Sequence, residues 1–185
     1  MSIRKRTPPR ALNRVTARTL ATSALTTPIG SPQWTHSSSK PRALPEQRFV
    51  LAGSGYPEDF PWTPNIWFVR HLPPAEHPAF YAASRLTLNV TRADMAAYGW
   101  CPSGRLFEAA ACGAPILTDT WEGLDAFFTP GEELLTAATT ADALSALARD
   151  DLPEIAQRAR ARALAEHTSA HRSDELLALL ECVPA

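Results

Sequence analysis

Ser103-Gly104-Arg105-Leu106-Phe107-Glu108-Ala109-Ala110-Ala111-Cys112-Gly113-Ala114-Pro115-Ile116-Leu117-Thr118-Asp119 reads as a helix, a glycine stop and a buried strand. Ser103 is placed to cap the first turn, and Gly113 to take the left-handed conformation that ends the helix. Pro115 opens the short apolar run Ile116-Leu117, where a missing N–H does least harm. Glu108 has apolar sequence neighbours on both sides. An unpaired carboxylate is costly to bury, so Glu108 is expected to be paired or to face a cleft, and it heads the list of candidate site residues.

Working outward, the composition bounds the answer. The chain has 185 residues, 45% of them hydrophobic, enough for one cored domain and short for two. Its net charge of -1 conceals an asymmetry: half of the 18 basic residues lie at or before Arg48, accompanied by one acid, Glu46. An acidic domain behind a basic leader is not a specific nucleic-acid surface. Residues 1–47, rich in Pro, Ser, Thr and Arg, bury too little apolar surface to offset the entropy of ordering, which predicts a disordered leader. The leader superficially matches a transit peptide, but it has no secretory h-region and only weak helical periodicity. Three cysteines, Cys101, Cys112 and Cys182, lack metal-ligand spacing and predict a reducing, cytoplasmic setting. No apolar run is long enough for a membrane span.

From residue 48 the pattern becomes periodic. Strands are expected at Arg48–Gly53, Asn65–Arg70, Leu86–Val90, Ile116–Thr118 and Glu133–Ala137. Helices are expected at 77–84, 140–148, 153–167 and 173–181, besides the one after Ser103, with a helical turn at 122–128. This alternation predicts an α/β fold: a Rossmann-like parallel sheet with flanking helices and a helical C-terminus. Ligands of such sheets gather at the carboxyl ends of the strands, with phosphate against a helix N-terminus. Ser54, Gly55, His71, Thr91, Arg92, Asp94, Asp119, Trp121, Glu122 and Gly123 all follow expected strand ends. Pro102-Ser103-Gly104 opens a helix whose amides offer a pyrophosphate seat. A nucleotide or nucleotide-sugar ligand is favoured, although neither the dinucleotide fingerprint nor the lysine-bearing phosphate loop is present.

The run Leu88-Asn89-Val90-Thr91-Arg92-Ala93-Asp94-Met95, followed by Gly99-Trp100-Cys101-Pro102 and the opening stretch, resembles the CgeB-like (spore-maturation-protein-like) glycosyltransferases. The likeness continues through Trp121-Glu122-Gly123-Leu124, 127–135 and 167–172, and covers about residues 48–181. It implies one half of a GT-B fold, the C-terminal domain that binds an activated nucleotide sugar without a metal. Related retaining transferases place two glutamates around the donor. Glu108 matches the second, while Trp100 stands at the position of the first. The resemblance further implies that the chain starts inside the donor-binding domain, 48–185. An early strand and its diphosphate-contacting loop are expected to be missing, and the acceptor-binding domain to be a separate partner.

These readings commit Glu108, Arg105, Ser103, Gly104, Arg92, Asp119, Glu122 and Gly123 to the donor site, with no catalytic base named. The expected function is a glycosyltransferase-like domain holding a nucleoside diphosphate sugar, active in hexosyl transfer if complete or complemented. The alternative is a non-catalytic nucleotide-binding or interaction module. A phosphosugar isomerase would need a base beside the cleft, and only His71 qualifies. Bland readings stand beside the others. Glu108 could pair with Arg105 or lie exposed at a helix edge, and Asp119 and Glu122 could cap a turn. Trp121 could be a buried aromatic, His167 and His171 packing groups, and Arg158, Arg160 and Arg162 a solvated surface.

Overall fold

The computed structural model describes residues 19–23, 47–53, 62–91 and 93–181. Its centre is a six-stranded parallel sheet of β1 (Thr19–Ser23), β2 (Arg48–Ala52), β3 (Ile66–Val69), β4 (Leu86–Asn89), β5 (Ile116–Thr118) and β6 (Leu135–Thr136). The strands lie in the order β3-β2-β1-β4-β5-β6, and each neighbouring pair is parallel. That order reverses direction between β1 and β4, the switch point at which doubly wound sheets open a crevice.

β1 corrects the sequence-based expectation for residues 19–23, which fell within the leader expected to be disordered. Thr19 to Ser23 pair in register with Arg48 to Ala52 on one side, and Leu20 and Ala21 pair with Leu86 and Thr87 on the other. A central strand of the sheet therefore comes from the stretch in which none was expected.

The helices are α1 (His77–Ala82), α2 (Ala93–Tyr98), α3 (Gly104–Ala111), α4 (Thr140–Leu147), α5 (Leu152–Glu166) and α6 (Ser169–Glu181), with 3-10 turns at Pro74–Glu76 and Leu124–Ala126. Successive strand residues point to opposite faces, so Ile116 and Leu117 enter different cores. Ile116 joins Phe80, Tyr81, Leu106, Ala109, Ala110, Ala159 and Ala163 from α1, α3 and α5. Leu117 joins Leu86, Leu135, Ala143, Ala146 and Ile155, so that α4 and the start of α5 cover the other face. Small residues let α3 approach α5 closely, with Ala109, Ala159 and Ala163 all buried.

Helix ends follow the sequence in part. Gly113 has φ 71; its N–H donates to Ala110 O at 2.8 Å and that of Ala114 to Ala109 O at 3.0 Å. This is the Schellman stop expected of a glycine just past the helix. Ser103 flanks α3 but does not cap it; its Oγ instead accepts Arg105 Nε at 3.1 Å. Asp151 likewise leaves α5 uncapped, because Arg149 engages both carboxylate oxygens. That guanidinium holds the Asp151 carboxyl below its ordinary range. A reciprocal cap does form at α4. There Thr139 accepts from Asp142 N, and the Asp142 side chain accepts from Thr139 N.

The arginines of α5 are not a purely solvated row. Arg158 Nε donates to Glu132 O at 2.7 Å, and Arg160 Nε to Ala111 O at 3.1 Å. The latter places a cation at the negative end of α3. Arg162 pairs with Glu166 along the helix.

Candidate functional site at the strand carboxyl ends

The loops after β4 and β5 build one wall of the crevice. Asn89, 3% exposed, ends β4 and donates from Nδ2 to Thr118 Oγ1 at 3.0 Å. Asp119 Oδ1 accepts from Thr91 N at 2.9 Å and Thr91 Oγ1 at 2.8 Å, with Thr118 Oγ1 at 3.3 Å. That oxygen is therefore a strut fastening the end of β4 to the end of β5. Asp119 does not cap the following turn. Two buried polar atoms in this wall, Asn89 Oδ1 and Trp121 Nε1, have no hydrogen-bond partner among the described residues. Leaving such groups unpaired is costly, so each calls for an explanation. Trp121 is the buried aromatic of the bland reading, not an exposed stacking surface.

Beyond β5, Gly123 has φ 90 and opens the 3-10 turn at Leu124. No side chain caps that turn, Glu122 included. Trp100, which follows α2, has φ 51, the one positive-φ side-chain-bearing position among the described residues. Holding a bulky residue there costs about 1–3 kcal/mol and requires support from its surroundings. The support is visible: Trp100 N–H donates to Glu122 O at 2.7 Å, and its ring occupies the space beside Gly123. A Cβ on Gly123 would come within 2.6 Å of Trp100 Cδ2, so that position has no room for a side chain. Glu122 is exposed, with its Cβ and Oε2 folded against buried Gly99.

α3 starts four residues after this aromatic. Gly104 is exposed, and a Cβ there would meet none of the described residues within 4 Å; this is the positive end of the helix. Glu108 lies about one turn further in. Its side chain is half exposed, at 51%. This corrects the expectation of a carboxylate embedded in apolar surroundings. In a helix Phe107 and Ala109 are neighbours along the chain but point away from Glu108, and the inward positions are Leu106, Ala109 and Ala110. Of the alternative reading, the exposed position holds and the Arg105 pairing is not seen among the described contacts. Tyr81 OH donates to Glu108 Oε2 at 3.4 Å, and His77 Nδ1 lies 3.4 Å from the same oxygen. Both contacts are long and weak. Oε1 has no partner among the described residues, which leaves it open to a ligand donor. Cys112, one turn on, has its thiol pushed up by burial and then by the Glu108 charge.

Of the sequence-derived candidates, Asp119, Glu122 and Gly123 come together in one wall, and Ser103, Gly104 and Arg105 form the adjoining helix start. Glu108 is on the flank of that helix. Arg92, Ser54 and Gly55 lie outside the described residues. Trp100 was not among the sequence-derived candidates, because only the fold brings it to the Glu122-Gly123 turn. His167 is a packing group: its ring lies among Phe107, Phe127 and Phe128. Arg172 Nη2 lies 2.8 Å from Nδ1, and Phe127 O lies 2.8 Å from Nε2, an arrangement that assigns the ring proton to Nε2. His171 Nδ1 meets Thr168 Oγ1 at 2.7 Å. No helix among the described residues is long and apolar enough to cross a membrane.

The family model described as glycosyl transferase-like matches residues 31–178. The chain belongs to that family. Its match begins earlier than the expected domain start at residue 48. Among solved structures, the chain is similar to HepE of Anabaena in complex with UDP-glucose, at TM-score 0.70 and 14% identity over 90% of this chain and 49% of that one. Sucrose-phosphate synthase of Thermosynechococcus elongatus aligns at TM-score 0.67 and 16% identity, over 89% and 45%. The C-terminal domain of the group 1 glycosyl transferase LpcC of Francisella tularensis aligns at TM-score 0.59 and 14% identity, over 82% and 87%. The chain thus spans about half the length of the first two and most of the isolated domain. These likenesses carry the fold, a half of the GT-B architecture. No curated protein sequence matches the chain.

Proposed function

We propose that this glycosyl transferase-like chain is a donor-binding domain of CgeB-like type, which holds a nucleoside diphosphate sugar at the carboxyl ends of its strands. The observation that supports the reading is the order β3-β2-β1-β4-β5-β6, because its reversal between β1 and β4 is the point at which doubly wound sheets bind their ligands. HepE, of the same fold, is seen with UDP-glucose, which supports a donor of that class.

In this reading the diphosphate lies at the open start of α3, at Ser103 and Gly104, with Arg105 and Arg92 supplying positive charge. Amide dipoles and guanidinium groups neutralise the phosphates, so no metal is required. Glu108 Oε1 accepts a hydroxyl hydrogen bond from the donor while Oε2 remains against Tyr81 and His77. Glu122 and Gly123 border the sugar, and Asp119 acts through the loops it ties together. Hexosyl transfer is proposed for the chain complemented by an acceptor-binding domain, in the cytoplasm.

A non-catalytic nucleotide-binding module is the second reading, favoured by Trp100 in the place of a donor-site glutamate. Calorimetric titration of the full chain with UDP and UDP-glucose tests the common core of both readings. Binding of each is expected, and Glu108→Gln should weaken it about tenfold, since a charged hydrogen-bond acceptor becomes a neutral one. Absence of heat with either ligand overturns the reading. UDP-glucose turnover with a complementing domain separates the enzyme from the module.

A further inference from the structure

We propose that Trp100 is a stacking platform for the sugar ring of the donor, and so a determinant of specificity; this rests on the donor-binding reading above. The argument begins with the contact to Gly123. A Cβ built on Gly123 would lie 2.6 Å from Trp100 Cδ2, 2.8 Å from Cε3 and 3.0 Å from Cε2. Cδ2 and Cε2 form the fused bond of the indole, and Cδ2 has three in-plane bonds. An atom can be nearest to Cδ2 only by approaching over the ring face. One face of the indole therefore lies flat on the backbone of Gly123.

Trp100 is nevertheless 61% exposed, so the opposite face is turned to solvent. A large aromatic surface left open on a soluble domain loses the apolar burial that its size offers. Here it is also held at φ 51, in a conformation that its Glu122 hydrogen bond and the Gly123 contact support. Strain kept alongside exposure points to a role outside packing.

Position supplies the rest. Trp100 lies over the loop after β5 and four residues before the start of α3, between the proposed sugar border and the proposed phosphate seat. An indole face offers apolar C–H contact to a pyranose ring without hydrogen-bonding direction. A glutamate at this position would instead accept hydroxyl hydrogen bonds. The expected consequence is tolerance of hydroxyl configuration combined with dependence on having a ring to stack.

The test is calorimetric titration of the full chain and of its Trp100→Ala and Trp100→Phe variants with UDP and with UDP-glucose. Trp100→Ala should weaken UDP-glucose about tenfold, the scale of ring stacking on an aromatic side chain, and change UDP by less than about twofold. Trp100→Phe should restore most of the loss. Should Trp100→Ala not fold, Trp100→Gly removes the ring while accepting the positive φ, and the same ratio is read. A purely structural role would move both ligands together. Equal losses for the two, or an unchanged or tightened UDP-glucose affinity, would overturn the platform and leave the donor-binding reading intact. A native chain that binds neither ligand overturns both.

Discussion

α3 and α6 show opposite relations between leucine content and burial. α3 is eight residues with a single leucine, yet Leu106, Ala109 and Ala110 are all fully buried. α6 is thirteen residues and carries Leu176, Leu177, Leu179 and Leu180, none of which is buried; they are 57–69% exposed. The helix with more leucines contributes none of them to the described core. What distinguishes α3 is its neighbours: α1, α5 and the sheet offer it facing surfaces, and its alanines allow close approach. Apolar side chains stabilise only where another surface removes water from them.

The sharpest way to break this contrast is Leu106→Ala. It should cost about 2–5 kcal/mol, because a fully enclosed site cannot collapse onto the lost volume, and a urea unfolding curve reads the loss directly. A cost below about 1 kcal/mol would place α3 with α6. Next comes Gly113→Ala at the end of α3. The new Cβ would meet only Arg160 Cδ at 3.5 Å, an ordinary contact, so the expected cost of about 1–2 kcal/mol comes from the left-handed backbone alone. Thermal melting of the variant measures it. The smallest effect is expected from Leu177→Ser with Leu180→Ser on α6. Each change should stay within about 0.5 kcal/mol, as for exposed positions without special contacts. A larger loss in the unfolding midpoint would show that the leucines are covered in solution.

The opening stretch was legible because its cues were local. A glycine stop, a proline at a strand entry and an alternating pair of apolar residues each act within a few positions. β1 was not legible. Thr19-Leu20-Ala21-Thr22-Ser23 has one large apolar residue in a basic, polar context, and it becomes a strand through pairing with β2 and β4, which are remote in sequence. Glu108 failed for a related reason: flanking residues in the chain are not flanking residues on a helix. Caps divided on competition. Ser103 and Asp151 each had a nearby arginine that took the oxygen, whereas Thr139 and Asp142 had none and formed their reciprocal pair. Trp100 as a site residue required knowing that a turn distant in sequence would bring a glycine under its ring.

The Trp100–Gly123 contact couples two loops, and the constraint runs one way: a side chain at 123 would collide with the indole, whereas a smaller residue at 100 leaves Gly123 unopposed. A side chain introduced at 123 is therefore expected to require a smaller residue at 100, with bulk passing from one loop to the other.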